Sequence, residues 1–219
     1  MKLKPTIIEE NVFKQEDISM INDYVREHGK KVPRIHEWEG PTQGKLVSES
    51  YFWDWHNTPV IQEKLISGLN SDIINPAIIE HSYILDSYYP YEIHCDSGWL
   101  DLKGGGTFEP WYLVIIPVTP GTSKTICFEQ HDEHALHFIN YKENNEPLKE
   151  YIDDAYFKQN LSHCWDHDQP YLTFEKEFVW NEGSVMYCDM TRYHASNNYK
   201  SDGIDKKTCI TLMTKKKIG

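Results

Sequence analysis

The sequence contains no run of 18 or more apolar residues, so none of its 219 positions reads as a membrane-spanning helix. Its first residues, MKLKPTIIEENVFKQED, lack the apolar core of a secretory signal. Five cysteines (95, 127, 164, 188 and 209) are odd in number and scattered, with no C-x-x-C, which sets aside a disulfide framework and reads as reduced thiols. These absences lead us to expect a soluble, cytoplasmic protein with no membrane partner. Positive charge is also scarce: 22 Lys and Arg stand against 34 Asp and Glu, for a net charge of −12. Arginine occurs only at 26, 34 and 192. Because nucleic acids are held mainly by cations on phosphates, this balance argues against such a partner. No internal repeat, low-complexity tract or domain boundary interrupts residues 1–219, and the length suits one domain with a sizeable core.

What the sequence does have is aromatic rings, 14 Tyr and 7 Trp, enough for lined pockets as well as a core. In EDISMINDYVREHG (16–29), Ile18, Ile21 and Val25 recur at helical spacing and Gly29 is a stop. In NTPVIQEKLISGLN, Thr58 stands as N-cap and Pro59 at the first helical position, with Val60, Ile61, Leu65 and Leu69 as the apolar face. From Ile78 the pattern changes to short β-branched and aromatic runs: AIIEHSYILDSYY, YEIHCD, WYLVIIPV, KTICFEQ, EKEFVW, GSVMYCD and KTCITLMT. Many short strands between turn signals predict a mainly β sandwich or jelly roll with flanking helices. Residues 1–77 then form an N-terminal support and 78–214 the β core. The span 131–176 is too long for an ordinary connection and reads as a partly helical insertion near the site.

The chemistry centres on YYPYEIHCDSGW (88–99). If Tyr91–Asp96 is extended, His94 and Asp96 project to one side and Cys95 to the other. A neutral imidazole and a carboxylate two residues apart can then grip one ion. His194, in GSVMYCDMTRYHASNN, is the candidate third ligand. Two His and one carboxylate on one side of a metal leave the opposite positions open, the arrangement of non-haem Fe(II) oxygenases. Each piece alone is a common structural pattern. Their weight comes from order, and from Lys207, thirteen residues past His194, which opens the final strand.

The ordered set resembles the Fe(II)- and 2-oxoglutarate-dependent dioxygenases, in their prolyl-4-hydroxylase-like branch. Tyr91, His94 and Asp96 match the family's Tyr-x-x-His-x-Asp. WYLVIIPV and Thr125–Phe128 are similar to its middle strands, Gly183-Ser184 and Tyr187 to its glycine-led strand, His194 to its distal histidine, and KTCITLM to its closing strand. The resemblance covers roughly residues 78–214. It departs where Thr122-Ser123-Lys124 replaces a usual Gly-Gly, where SDGID lengthens the link after His194, and where Lys replaces the commoner Arg. Lysine can still hold a carboxylate as a point charge, without arginine's fork.

The resemblance implies a double-stranded β-helix (jelly roll, cupin-like) that hydroxylates a small molecule, an amino acid or a peptidyl side chain. It implies Fe(II) held by His94, Asp96 and His194, with 2-oxoglutarate and dioxygen as co-substrates. The co-substrate's far carboxylate would meet Lys207, with Thr211 on the same strand face and Tyr91 and Tyr83 nearby. Lys206 and Arg192 are rivals for that cation: if Lys207 faces inward so do Cys209, Thr211 and Met213, and if Lys206 does, Thr208, Ile210 and Leu212 follow it. Asp96 bears on the reaction class, since related halogenases lack this carboxylate. Two other readings remain open, a non-catalytic cupin-like binding protein and a metal-dependent isomerase or hydrolase on the same barrel.

Other clusters carry less. His131, His134 and His137, and His163-Cys164 with Asp166-His167, have ligand-type residues but suit a solvated acidic insertion equally. Gly104-Gly105-Gly106 lacks the following Lys-Ser/Thr of a phosphate cradle and reads as a turn. The KKK at 215–217 reads as a solubilising strand end.

Overall fold

The computed structural model describes residues 3–36, 43–99, 107–132 and 148–218. Its elements in chain order are β1 (Ile7–Glu9), α1 (Gln15–His28), β2 (Lys30–Ile35), β3 (Leu46–Phe52), α2 (Pro59–Gly68), α3 (Ser71–Ile74) and β4 (Ala77–Ser87). There follow β5 (Phe108–Pro117), β6 (Lys124–His131), α4 (Asp154–Asn160), β7 (Phe174–Val179), β8 (Val185–Asp189), β9 (Arg192–Ser196) and β10 (Lys207–Lys217). A seven-stranded antiparallel sheet runs β1-β8-β5-β10-β4-β3-β2, and a three-stranded sheet runs β7-β6-β9. The chain is thus mainly β with helices outside it. No helix among the described residues is long and apolar enough to cross a membrane.

Three apolar clusters show why the strands read as they do. Val114 and Ile116 of β5 face the helices with Ile18, Ile21, Val25, Ile61 and Leu65. Their neighbours Leu113 and Ile115 face the small sheet, with Met186, Cys188, Met213, Cys127 and Phe178. Both faces of β5 are therefore buried, which is why WYLVIIPV is continuously apolar rather than alternating. The outer face of the small sheet, through Ile126, Phe128 and Ala195, is covered by Phe157, Leu161, Ile152 and Leu172. At about 25 cal/mol per Å2 of apolar surface, each fully buried Leu, Ile or Phe contributes roughly 2 kcal/mol before entropy is counted.

Two elements differ in detail from the sequence reading. Helix α2 starts at Pro59, but the Thr58 hydroxyl donates back to Asp54 O (2.8 Å) rather than capping the helix. Val60 is 65% exposed, because the buried stripe of this short helix runs through Ile61 and Leu65, and Val60 lies a residue away around the turn. Segment 91–96 is no regular strand. It lies along β9 with a single bridge at His94, where His94 and His194 exchange both backbone hydrogen bonds (3.0 and 2.8 Å). Ser196 N also donates to Tyr91 O (3.2 Å), and Asp96 N to Met190 O (3.1 Å). Lys215–Lys217 continue β10, with Lys215 paired to Glu80 and Lys216 over the Trp111 ring, so the triple lysine is a partnered strand end. His134, His137 and Gly104–Gly106 lie outside the described residues.

Gly183 fixes the approach to β8. Its φ is +67°, and a Cβ there would stand 2.2 Å from the backbone oxygen of Phe13. Val12 N and Phe13 N donate to its carbonyl (2.8 and 3.2 Å), docking the N-terminal segment on the sheet.

Candidate metal centre

The bridge between segment 91–96 and β9 places two backbones side by side, and their side chains follow. Along the segment, alternation sends Cys95 out to the apolar cluster over the small sheet, while His94 and Asp96 point the other way. His194 joins them from β9. One ligand atom from each of the three lies within 4.8 Å of the others, and no other such group of three or more occurs among the described residues. His194 Nε2 is 3.3 Å from Asp96 Oδ2, and His94 Nε2 is 3.9 Å from Oδ1. The two imidazole rings stand 4.5 Å apart at 50°.

Both histidines are pinned for ligation. His94 Nδ1 is 2.6 Å from Glu92 O, and His194 Nδ1 is 3.1 Å from Arg192 O. A carbonyl only accepts, so each Nδ1 donates and each Nε2 is left with its lone pair toward the cluster. Burial, then the neighbouring His194, push the His94 pKa down to about 4, which keeps it neutral. Burial also acts to lower His194, but the hydrogen bond and charge of Asp96 outweigh it and its pKa is raised. A proton on His194 Nε2 beside Asp96 therefore competes with a metal for that lone pair. A divalent cation would displace that proton and hold all three groups. The donor set, its spacing and its backbone anchors fit a metal with one facial side taken by protein.

Behind the cluster, β10 carries Lys207, Cys209, Thr211 and Met213 on the face toward the small sheet, while Ile210 and Leu212 face the helices. Lys207 is 5% exposed. Its Nζ donates to Ser196 Oγ (2.5 Å) and lies over the rings of Trp180 (4.5 Å to centroid) and Tyr199 (5.4 Å). Ser196 also accepts from Tyr91 N (3.4 Å), so the ammonium adjoins the segment that carries His94 and Asp96. Among the described residues no carboxylate pairs with Lys207, and burial pushes its pKa down to about 8. A cation taken out of water without a counter-charge is costly, and such a site invites an anion.

The rivals are occupied elsewhere. Lys206 turns to the helical side, 3.4 Å from Asp86, which also takes Arg26 (2.7 Å). Arg192 donates to Phe128 O (2.6 Å) and Lys4 O (2.9 Å) and sits 3.3 Å from Glu175. Tyr83 of β4 stands opposite Thr211 of β10, and its burial raises its phenol pKa well above normal. The Tyr91 hydroxyl donates to Ser48 Oγ (2.9 Å), and its ring packs 5.5 Å from that of His94. His163 Nε2 donates to Tyr91 O (3.0 Å), and burial pushes its pKa down to about 4. It therefore buttresses the segment rather than forming a second centre with Cys164 and His167.

The residues around Lys207 were not apparent from the sequence. Trp180 closes EKEFVW and is held by its indole N–H on Thr125 Oγ1 (3.0 Å). Tyr199 belongs to the lengthened link after β9, with its hydroxyl on Ser87 O (3.1 Å). Only Ser196, two residues past His194 and so on the same face, carried a readable signal.

No protein-family model and no curated protein matches the sequence. Solved structures do resemble the fold. The non-heme alpha ketoglutarate dependent carbocyclase SnoK from nogalamycin biosynthesis superposes with a TM-score of 0.59 at 15% identity, over 97% of this chain and 80% of that one. SnoN, the non-heme alpha ketoglutarate dependent epimerase from nogalamycin biosynthesis, gives 0.58 at 10%, over 97% and 78%. EvdO2 from Micromonospora carbonacea var. aurantiaca, complexed with 2-oxoglutarate, gives 0.53 at 12%, over 99% and 89%. At these identities the likeness is one of fold, and the jelly-roll, double-stranded β-helix expectation holds.

Proposed function

We propose that this chain is an Fe(II)- and 2-oxoglutarate-dependent oxygenase that hydroxylates a small molecule, an amino acid or a peptidyl side chain. The observation that carries the reading is the pairing of two features: the convergence of His94, Asp96 and His194 within 4.8 Å, and, adjoining it, a buried lysine with no carboxylate partner among the described residues. Rival readings, a cupin-like binding protein or a metal-dependent isomerase or hydrolase, account for the first feature and leave the second without a purpose. The ordered set Tyr91, His94, Asp96, His194 and Lys207 supports the finer placing in the prolyl-4-hydroxylase-like branch. The ligand SnoN holds in one structure, nogalamycin RO with Fe3+ and alpha ketoglutarate, supports a small molecule before a peptide.

Iron with 2-oxoglutarate and dioxygen, when bound, supplies oxidative decarboxylation to succinate and CO2 coupled to oxidation of an unactivated C–H bond. His94 and His194 would hold the metal through Nε2 and Asp96 through a carboxylate oxygen. Lys207 would take the far carboxylate of the co-substrate as a charge-assisted hydrogen bond, with the Thr211, Tyr83 and Ser196 hydroxyls as further polar neighbours. Trp180 and Tyr199 keep water from that end, strengthening the attraction. Asp96 occupies a position a halide would need, which favours hydroxylation over halogenation.

The test is succinate formation from 2-oxoglutarate under air with added Fe(II). The wild type should produce succinate, His94→Ala none, and Lys207→Ala only at much higher co-substrate concentration. Metal binding without any 2-oxoglutarate dependence would overturn the proposal in favour of a binding protein, isomerase or hydrolase.

A further inference from the structure

In the seven-stranded sheet β3 and β2 follow β4, and β2 forms the edge. The inner face of β3 is identified by contact: Ser48 accepts from the Tyr91 hydroxyl, and the Phe52 ring lies 5.1 Å from Tyr83. Directly opposed residues of an antiparallel pair share a face. Arg34 opposes Ser48, Val32 opposes Ser50 and Lys30 opposes Phe52, so all three β2 residues belong to the face toward the metal ligands. All three are exposed.

The charges on the two faces differ. On the outer face Lys31 pairs with Glu49 (2.6 Å) and Arg26 with Asp86 (2.7 Å). On the inner face neither Arg34 nor Lys30 has a carboxylate within ion-pair distance among the described residues. That is unexpected in a chain where acids outnumber bases 34 to 22. Arg34 is also aimed. Its guanidinium lies over the Tyr91 ring, 5.8 Å from the centroid, and that ring is 5.5 Å from the His94 ring. One side chain therefore separates the cation from a metal ligand. Of the three candidate ligands His94, the one beside Tyr91, is the most open, with 21% side-chain exposure against 5% for His194 and 8% for Asp96.

We infer that the inner face of β2 and β3 is an oxyanion-binding floor for the substrate. Arg34 would grip a carboxylate or phosphate of the molecule oxidised at the metal, and Val32 and Phe52 would supply an apolar bed. This rests on the oxygenase reading above and adds the substrate class. Guanidinium offers a planar fork that matches either oxyanion with two hydrogen bonds. Lys30 lies four residues away on the same face, about 13 Å along the strand, and serves a second anionic group on a longer molecule. Lys207, enclosed behind the ligands, is left for the co-substrate.

The test uses the full chain loaded anaerobically with Fe(II) and saturating 2-oxoglutarate, so that Lys207 is occupied. Benzoate and phenyl phosphate are the probes and benzamide the neutral control, with binding read by ligand-detected NMR. At least one of the two oxyanions should bind at least about tenfold more tightly than benzamide. Arg34→Gln should remove that preference, Arg34→Lys should keep part of it, and Lys30→Gln should have a smaller effect; preference for only one of the two oxyanions identifies the source as carboxylate or phosphate. Oxyanions that bind no better than benzamide at millimolar concentration, or as well to Arg34→Gln as to wild type, would overturn the inference, as would equal loss of benzamide binding in Arg34→Gln. Binding of 2-oxoglutarate to the wild type is measured in the same samples. If it fails, the oxygenase reading fails, and the same probe comparison on the metal-loaded chain still decides whether the floor selects anions.

Discussion

Replacing Lys207 by Met should make the metal-free protein more stable and its proposed site useless. Burial lowers the Lys207 pKa from 10.5 to about 8. At 1.36 kcal/mol per unit, holding the charge inside at pH 7 costs about 3 kcal/mol. The contacts given up, the Ser196 hydrogen bond and the two aromatic faces, return about 1–2 kcal/mol of that. Methionine fills a similar space with no charge, so a net gain of about 1–2 kcal/mol follows at pH 7, or roughly 2–8 °C in Tm for a chain this long. The sign in pH is specific. A lysine with a depressed folded pKa carries its full penalty below about pH 8; between there and 10.5 the unfolded chain holds more protons, so wild-type stability from this group rises with pH. The variant's advantage should therefore shrink between pH 7 and pH 9.5. Urea unfolding at both pH values reads this, and 2-oxoglutarate binding to the iron-loaded variant should be lost. A less stable variant at pH 7, an advantage independent of pH, or retained co-substrate affinity would each refute the reasoning.

Three further outcomes are expected. His194→Ala should lower metal affinity beyond the roughly 10–100-fold typical of losing a supporting hydrogen bond, read by equilibrium dialysis with circular dichroism as the fold control. Affinity of the wild type for metal should fall as pH drops and His194 takes up its proton beside Asp96. Asp86→Ala should destabilise by about 1–3 kcal/mol in denaturant unfolding, because it removes the acceptor of the buried Thr208 Oγ1 (2.7 Å) and the partner of Arg26, whose guanidinium can turn to water. Gly183→Ala should cost about 1–3 kcal/mol through its positive φ and the Phe13 carbonyl in the way of a Cβ, visible as a lower Tm with metal affinity retained.

How far the sequence could be read depended on whether a segment's partners are local. Helix α1 was legible because Ile18, Ile21 and Val25 all meet one core, and β5 because burial on both faces leaves only apolar residues. The convergence of His94, Asp96 and His194 was legible as an ordered set, although segment 91–96 is held by one bridge rather than a regular strand. Alternation along β10 made Lys207 and Lys206 exclusive alternatives, and only the packing of Ile210 and Leu212 on the helices and of Cys209 and Met213 toward the small sheet decides between them. Strands β1, β2 and β3 were not recognised. Three-residue β1 pairs with β8, far along the chain, and KKVPRI is exposed throughout, so neither leaves an alternating apolar pattern. The polar inner face of β2 and β3 hid them as strands for the same reason that it can serve as a binding surface. The box around Lys207 was hidden because Trp180, Ser196 and Tyr199 come from different connections and meet only in the fold.

The most direct measurement is an anaerobic calorimetric titration of 2-oxoglutarate into the wild-type chain with and without Fe(II). Chelation at a His94-Asp96-His194 centre backed by Lys207 predicts one co-substrate per chain, bound only when iron is present, with iron uptake intact and co-substrate binding lost in Lys207→Met. Equal binding with and without the metal, or no binding at all to the iron-loaded chain, would contradict it.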